Sequence, residues 1–550
     1  MKKSGFFTKV KGFFSKMPPV LLLPLSAVLC ALCLVVPALG FLEWIALLPA
    51  LLYLFPHIER GELRFWKLYR LGFLYFYIFY LIVWHWFIDL YPMEFAGISK
   101  GAAIGLIAIC WFGLSLVQTL FSALILPVFG AFARMRLLRA KPILLPFLFA
   151  SVYTVSEWSQ TLTWAGVPWA RLALGQTGCG FLLHSVSLFG PYFLTFVIVA
   201  VNALAAYAVL HLEKVKLVSI LCAAVFGLNL CAGLVGYLTA PVGRGEGVVV
   251  AAVQGNVGSS GKWDGDSTLR SMEIYEHYTA EAAKAGAKIV VFPETFIPYD
   301  ITESEDNFLG AYVRELAETY DVIIRCGAFY DDRAAGKYYN GLFTFYPNGS
   351  ISKTVYAKQR LVPFGEFVPM RDLMEILIPP LADIGMLDED LDPGTDSAIV
   401  QTPIGATGSL ICFDSIYELL TLDAVRDGAT YLCLSTNDSW FRDSAGIYMH
   451  LRQAQLRAVE SGRYIIRSAD TGISAIVTPQ GECLAELEAE VDGVSIATIY
   501  PSSARTLYSY IGNLFLYLLI AAELALVVDA LIVYLRRKKE ADSTSTQSID

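Results

Sequence analysis

The chain has 550 residues, 56% of them hydrophobic and 17% charged, with a formal net charge of −9 and a mean hydropathy of +0.54. It is too long for one ordinary core and too apolar for a purely soluble protein, and its acidic balance argues against nucleic acid as a partner. The ten cysteines and six histidines form no HExxH and no repeated CxxC at zinc spacing (Cys30 and Cys33 fit the spacing but sit inside an apolar run). No metal site, cofactor or disulfide framework is therefore expected.

In chain order, Met1–Lys16 carries five lysines ahead of an apolar run that begins near Pro19. Without a small-residue cleavage site it reads as a retained first helix rather than a signal peptide. Apolar runs follow at about Val20–Leu39, Phe41–Phe55, Leu68–Leu90, Gly101–Phe129, Pro142–Trp158, Phe181–Leu210 and Leu217–Ala240, with an eighth at Tyr508–Leu535. A bilayer core needs about 20 apolar residues per helix, so most of these predict a crossing; the second and fifth are short. Lys and Arg cluster at the N-terminus, in Arg60–Lys67, Arg134–Lys141 and Lys214–Lys216, and in Arg536–Lys539. With eight crossings all five clusters share one side, which the positive-inside rule makes the cytoplasm. Both termini are then cytoplasmic, and the long block between the seventh and eighth runs lies outside.

That block, about Arg244–Thr506, alternates strand-like and helix-like patterns. Strands are expected at Gly247–Gln254, Lys288–Phe292, Val322–Phe329, Leu342–Tyr346, Ile351–Tyr356, Thr407–Phe413 and Tyr431–Ser435. Helices are expected around Tyr275–Ala282, Leu309–Thr319 and Ser415–Asp427. This pattern predicts an α/β or α-β-β-α layered domain. The chain thus divides into a membrane bundle of about seven helices (1–243), an extracytoplasmic α/β domain (244–506), a last transmembrane helix (507–539) and a disordered polar tail (540–550).

Three polar residues stand at the ends of apolar strand-like runs. Cys412 follows Gly408-Ser409-Leu410-Ile411, Glu294 follows Val290-Val291-Phe292-Pro293, and Lys358 follows Ile351–Tyr356. A thiol, a carboxylate and an amine at strand ends are the parts of nucleophilic acyl transfer: Cys412 as nucleophile, Glu294 as base, Lys358 for the oxyanion and the thiolate. Taken singly, each also has a bland reading: a core cysteine, a carboxylate capping the turn after Pro293, a solvated surface lysine.

Together, Phe292-Pro293-Glu294, Lys358 and Cys412 resemble the Glu-Lys-Cys triad of the nitrilase (carbon–nitrogen hydrolase) superfamily, in that order. The resemblance narrows to the apolipoprotein N-acyltransferase family through Val253-Gln254-Gly255-Asn256, Lys262-Trp263-Asp264, the run from Lys358 to Pro369, Asn437–Phe441 and His450–Arg463. It implies a nitrilase-like α-β-β-α sandwich inserted into a multi-span α-helical bundle of the bacterial cytoplasmic membrane. It also implies transfer of an acyl chain from a phospholipid, through a Cys412 thioester, to the α-amine of an S-diacylglyceryl-cysteine at a lipoprotein N-terminus. Glu366 resembles the family's second active-site carboxylate, and Trp263 an active-site tryptophan, though its own reading leaves a core aromatic open. Phe413-Asp414 stands where the family has Tyr-Glu, and both are expected to support substrate binding. Asp470 stands where asparagine is common.

A bundle suits a lipid donor, because extracting a chain from the bilayer costs about 0.8 kcal/mol per CH₂. The apolar stretch Met370–Leu391 is expected to form a lid or membrane-dipping arm, or to be ordinary core. A monomer is expected. The rivals are a membrane-anchored nitrilase-type amidase with water as acceptor, and a transporter or lipid-binding protein without catalysis. Against the latter, the acids Glu43, Asp89 and Glu157 lie near the ends of apolar runs.

Overall fold

The computed structural model describes residues 9, 12–14, 17–93, 99–258, 265–302, 308–377 and 390–546. Its N-terminal part is a helical bundle: α1 (Pro19–Val35), α2 (Leu48–Glu59), α3 (Phe65–Val83), α4 (Lys100–Ser122), α5 (Ile125–Ala133), α6 (Leu145–Ser159), α7 (Pro191–Leu210) and α8 (Val215–Thr239). Helix α7 is apolar on all sides and buried along nearly its whole length, which makes it the bundle's central post. Its buried Asn202 accepts from the Leu47 N–H and donates to the Glu43 carbonyl, satisfying backbone groups where the chain turns into α2.

Among the described residues, six helical stretches are long and apolar enough to cross a membrane: Pro37–Glu59, Phe65–Val83, Lys100–Ala133, Pro191–Leu210, Leu212–Thr239 and Leu514–Lys538. Two of the eight expected runs are shorter, α1 at 17 residues and α6 at 15. The run expected over Phe181–Leu210 is broken. Gly190 sits at φ 81°, Pro191 opens α7, and a side chain at Gly190 would collide with the Tyr508 ring.

The second part is a four-layer sandwich, and the α-β-β-α expectation holds. Its strands are β1 (Val248–Gln254), β2 (Ile289–Val291), β3 (Ile297–Asp300), β4 (Ile323–Asp332), β5 (Lys337–Phe345), β6 (Tyr356–Ala357), β7 (Val400–Thr402), β8 (Gly405–Ile411), β9 (Tyr431–Thr436), β10 (Ile465–Ala469), β11 (Ala475–Val477), β12 (Cys483–Leu484) and β13 (Gly493–Ile499). One sheet runs β13-β1-β2-β4-β5-β6 with β3 beside β4, and the other runs β12-β11-β10-β9-β8-β7. The expected strand over Ile351–Tyr356 shrinks to β6 and a single bridge from Ile351 to Phe345. Local bonding competes with the ladder there, since the Thr354 N–H donates to the Ser352 hydroxyl.

Strand alternation sorts the side chains into layers. Val250, Ala252, Ile289 and Val291 meet Ile411, Tyr431, Cys433 and Ile466 between the sheets. Ala251, Val253, Val290 and Ile324 face outward against α9 (Gly265–Lys284) and α10 (Phe308–Tyr320). The other sheet's outer face, Leu410, Leu432 and Leu434, packs under α11 (Glu418–Arg426) and α12 (Ala445–Ser461), in one apolar cluster continuous with the helical bundle. The helix layer behind the Cys412 turn is therefore shared between the two parts.

Polar contacts cross the same seam. Arg171, from the loop before α7, pairs with Glu418 at 2.9 Å, and neither side chain is more than 2% exposed. Tyr192 and Asn513 also donate to Glu418. Burial alone would raise the Glu418 carboxyl, but the Arg171 and Arg457 guanidinium groups outweigh it and hold it at about 2. The last helix, α13, covers Leu514–Thr546. It continues through most of the stretch expected as a disordered tail, because Arg536–Glu540 and the residues after it contain no Pro or Gly to stop it.

Candidate active site

Three strand ends converge at one point. Strand β8 delivers Cys412 to a sharp turn in which its backbone adopts φ 46°, a left-handed conformation that is costly for a side-chain-bearing residue and recurs at functional sites. Next to the end of β2, Glu294 precedes a second such turn at Thr295, φ 49°. Lys358 follows β6, its N–H donating to the Asn340 carbonyl at 2.8 Å.

The Lys358 ammonium, 2% exposed, lies 2.8 Å from Glu294 Oε1 and 2.8 Å from Glu366 Oε1. Glu294 Oε2 accepts from the Asn437 N–H at 2.9 Å, and Glu366 Oε2 from the Val362 N–H at 2.9 Å. One buried cation thus sits between two carboxylates. Burial would push the Lys358 amine down, but the two carboxylates outweigh it and hold it well above its ordinary value. The Cys412 thiol goes the other way. Burial first and the Glu294 carboxylate second raise it well above its ordinary value, against the opposing pull of Lys358. At neutral pH this is a thiol that needs a base to become a nucleophile.

Asp414, expected among the substrate-binding or supporting residues, lies beneath the Cys412 turn. Fully buried, it accepts from the Tyr356 hydroxyl (2.8 Å), the Ile411 N–H (3.1 Å), the Gln359 N–H (3.2 Å) and the Arg360 N–H (2.8 Å). It therefore staples the segment after Lys358 to the turn of Cys412. Burial raises its carboxyl to about 6, against Lys358 and these donors. Phe413 is half-buried and packs edge-on against Tyr417, with 5.7 Å between ring centroids. Trp263 lies outside the described residues, as do 378–389 of the expected arm. The rest of the arm includes Met370, Leu373 and Ile376, which are 52%, 43% and 77% exposed.

Several polar side chains to which the sequence gave no role join the site, two of them (Asp438 and His450) within stretches that carry the family resemblance. Asn340, on β5, donates to Glu294 Oε1 (2.8 Å) and to Glu366 Oε1 (3.1 Å), and its own buried oxygen has no partner among the described residues. Asp438, just past β9, accepts from Thr436 (2.9 Å), contacts His450 Nδ1 (2.8 Å), and pairs with Arg467 at 2.5 Å. His450 Nε2 in turn lies 3.0 Å from the Ser415 hydroxyl and 3.2 Å from the Cys412 carbonyl. Burial would raise Asp438, but Arg467 and His450 hold its carboxyl below the usual range. Ligand atoms of Cys412, Asp438 and His450 lie within 4.8 Å of one another. Yet both Asp438 oxygens and both ring nitrogens already have partners and Arg467 supplies the positive charge, so the set fits a hydrogen-bond relay better than a cation site.

Two family models match the chain: "Apolipoprotein N-acyltransferase N-terminal domain" over residues 26–204 and "Carbon-nitrogen hydrolase" over 249–508. The apolipoprotein N-acyltransferase of Gloeobacter violaceus is 30% identical, over 89% of this chain and 89% of its own. That of Geobacter metallireducens is 28% identical, over 92% and 94%. Among solved structures, Saccharomyces cerevisiae Nit3 of the nitrilase superfamily is 21% identical with a TM-score of 0.37, covering 48% of this chain and 93% of its own.

Proposed function

The chain belongs to the apolipoprotein N-acyltransferase family, a bacterial membrane acyltransferase, and from that premise we propose how its residues carry the transfer. Cys412 is the nucleophile, Glu294 the general base and Lys358 the oxyanion partner. The observation that carries this reading is the buried pair Glu294–Lys358 beside a thiol whose ionisation its surroundings oppose.

Glu294 removes the thiol proton as sulfur attacks the ester carbonyl of a phospholipid. The tetrahedral oxyanion is met by the Lys358 ammonium and the Phe413 N–H, which need not reorganise to do so. Collapse expels lysophospholipid, to which Glu294 returns the proton, and leaves the acyl chain on Cys412 as a thioester. The α-amine of an S-diacylglyceryl-cysteine then attacks the thioester, loses its proton to Glu294, and departs as the N-acyl lipoprotein. Glu366 and Asn340 hold Lys358 and Glu294 in register, and Asp414 fixes the two loops that carry the nucleophile and the amine. Trp263 is assigned to the substrate side by its place in the family pattern.

In the same proposal, residues 1–243 and 507–539 lie in the membrane, 244–506 project from its outer face, both termini are cytoplasmic, and the protein acts as a monomer. Lys and Arg clustering supports the orientation. The test separates amine from water as acceptor: phospholipid and a synthetic diacylglyceryl peptide are supplied together, and N-acyl peptide and free fatty acid are quantified. N-acyl peptide in excess is expected. Fatty acid alone would turn the assignment to a hydrolase.

A further inference from the structure

Beside the nucleophile stands a cation that the acyl-transfer steps leave unused. Arg360, two residues after Lys358, is exposed. Its N–H is held by Asp414, and its guanidinium carbon lies 4.8 Å over the centroid of the Tyr417 ring. The Tyr417 ring meets Phe413 edge-on, and Phe413 is the residue after Cys412. A ladder of Arg360, Tyr417 and Phe413 therefore runs from an exposed charge to the reacting turn. Tyr417 is also part of the apolar cluster shared with the helical bundle, so the ladder lies on the side of the sandwich packed against that bundle.

We propose that Arg360 binds the phosphate of the donor phospholipid and so places one of its acyl esters at Cys412. The Tyr417 ring holds the guanidinium through its π-face, a contact that consumes none of its N–H donors. Among the described residues those groups donate to no acceptor. A planar fork of donors fits two oxygens of a phosphodiester, a geometry a lysine cannot match. In a glycerophospholipid the phosphate and the acyl esters are joined through three glycerol carbons, so fixing the phosphate restricts where the esters fall.

This assignment rests on Cys412 being the residue that takes the acyl chain. Its test measures acylation of Cys412 by intact-mass spectrometry, without acceptor, in full-length wild type, Arg360→Ala and Arg360→Lys. Two donors with the same acyl chain are compared: a glycerophospholipid in mixed micelles, and a phosphate-free p-nitrophenyl ester. The backbone bond from Arg360 to Asp414 survives both substitutions, so the loop keeps its anchor.

For Arg360→Ala the ratio of phospholipid to nitrophenyl-ester rates should fall at least tenfold, mainly through a higher KM for phospholipid. Arg360→Lys should recover part of the loss. An unchanged ratio, whether both rates fall together or neither falls, would overturn the assignment. A wild type that neither donor acylates at Cys412 would overturn the nucleophile reading, and the assignment with it.

Discussion

Cys412 is held as a thiol by burial and by the Glu294 carboxylate proposed as its base, which makes Glu294→Gln an informative substitution. Removing the negative charge should lower the thiol's pKa, so alkylation of Cys412 by iodoacetamide should move to lower pH. Acyl transfer should nevertheless fall by about 10²–10⁴, the usual contribution of a general base. Loss of both reactivities together would contradict the role. Asn340→Leu removes hydrogen bonds to two carboxylates at about 1.5–3 kcal/mol each, and should cut acylation at least tenfold with Cys412 still alkylated; wild-type rates would remove Asn340 from the site. Glu294, Lys358 and Cys412 were readable in the sequence because each ends an apolar strand, and together they match a family pattern. Asp438 and His450 lay within stretches of that pattern but had no role assigned, and Asn340 lay outside it. A lone polar residue in a strand or on a helix looks the same whether it faces water or a buried carboxylate, and only the pairing of β4 with β5 and the seating of α12 decide which.

At the level of elements, α11 carries the link between the nucleophile's turn and the bundle. Truncating one partner of a buried ion pair leaves the other uncompensated, at about 3–5 kcal/mol. Arg171→Ala should therefore lower the thermal midpoint in detergent markedly, while Arg171→Met with Glu418→Leu should recover much of the loss. Glu418 is depressed to about 2, so its contribution is present above its unfolded value near 4.3 and is lost as pH falls toward 2. The double variant should accordingly lose less stability between pH 5 and 3 than wild type. The exposed Leu373 and Ile376 suit an arm that meets lipid. Changing both to Ser should slow acylation by phospholipid in vesicles without lowering the thermal midpoint; unaltered rates would remove the arm from the mechanism. Sequence periodicity located most of these elements, but it missed the break at Gly190. Hydropathy sees an unbroken apolar run there, whereas the break lies in the positive φ of Gly190 before Pro191, at a place where the Tyr508 ring leaves no room for a side chain.

For the whole molecule, composition gave the membrane bundle and strand–helix alternation gave the sandwich, because each is a property of many residues at once. Their junction was not readable, since the cluster joining Leu410, Leu434 and Leu456 to α7 is made of residues that would be apolar in either part alone. Orientation can be tested with single cysteines in a background cleared of other reactive thiols. Lys141→Cys should react with an impermeant maleimide only from the cytoplasmic face, and Arg333→Cys only from the outer face; the reverse pattern would invert the topology. Passage of the acyl chain through Cys412 to an amine can be followed by a chase. Purified protein is loaded with phospholipid, freed of excess donor, and mixed with a diacylglyceryl-cysteine peptide while the mass of each species is followed. Loss of one acyl mass from the Cys412 peptide, matched by its gain on the α-amine and absent in Cys412→Ala, is the predicted result. N-acylated peptide formed by Cys412→Ala, or an acyl-enzyme that the peptide never discharges, would contradict it.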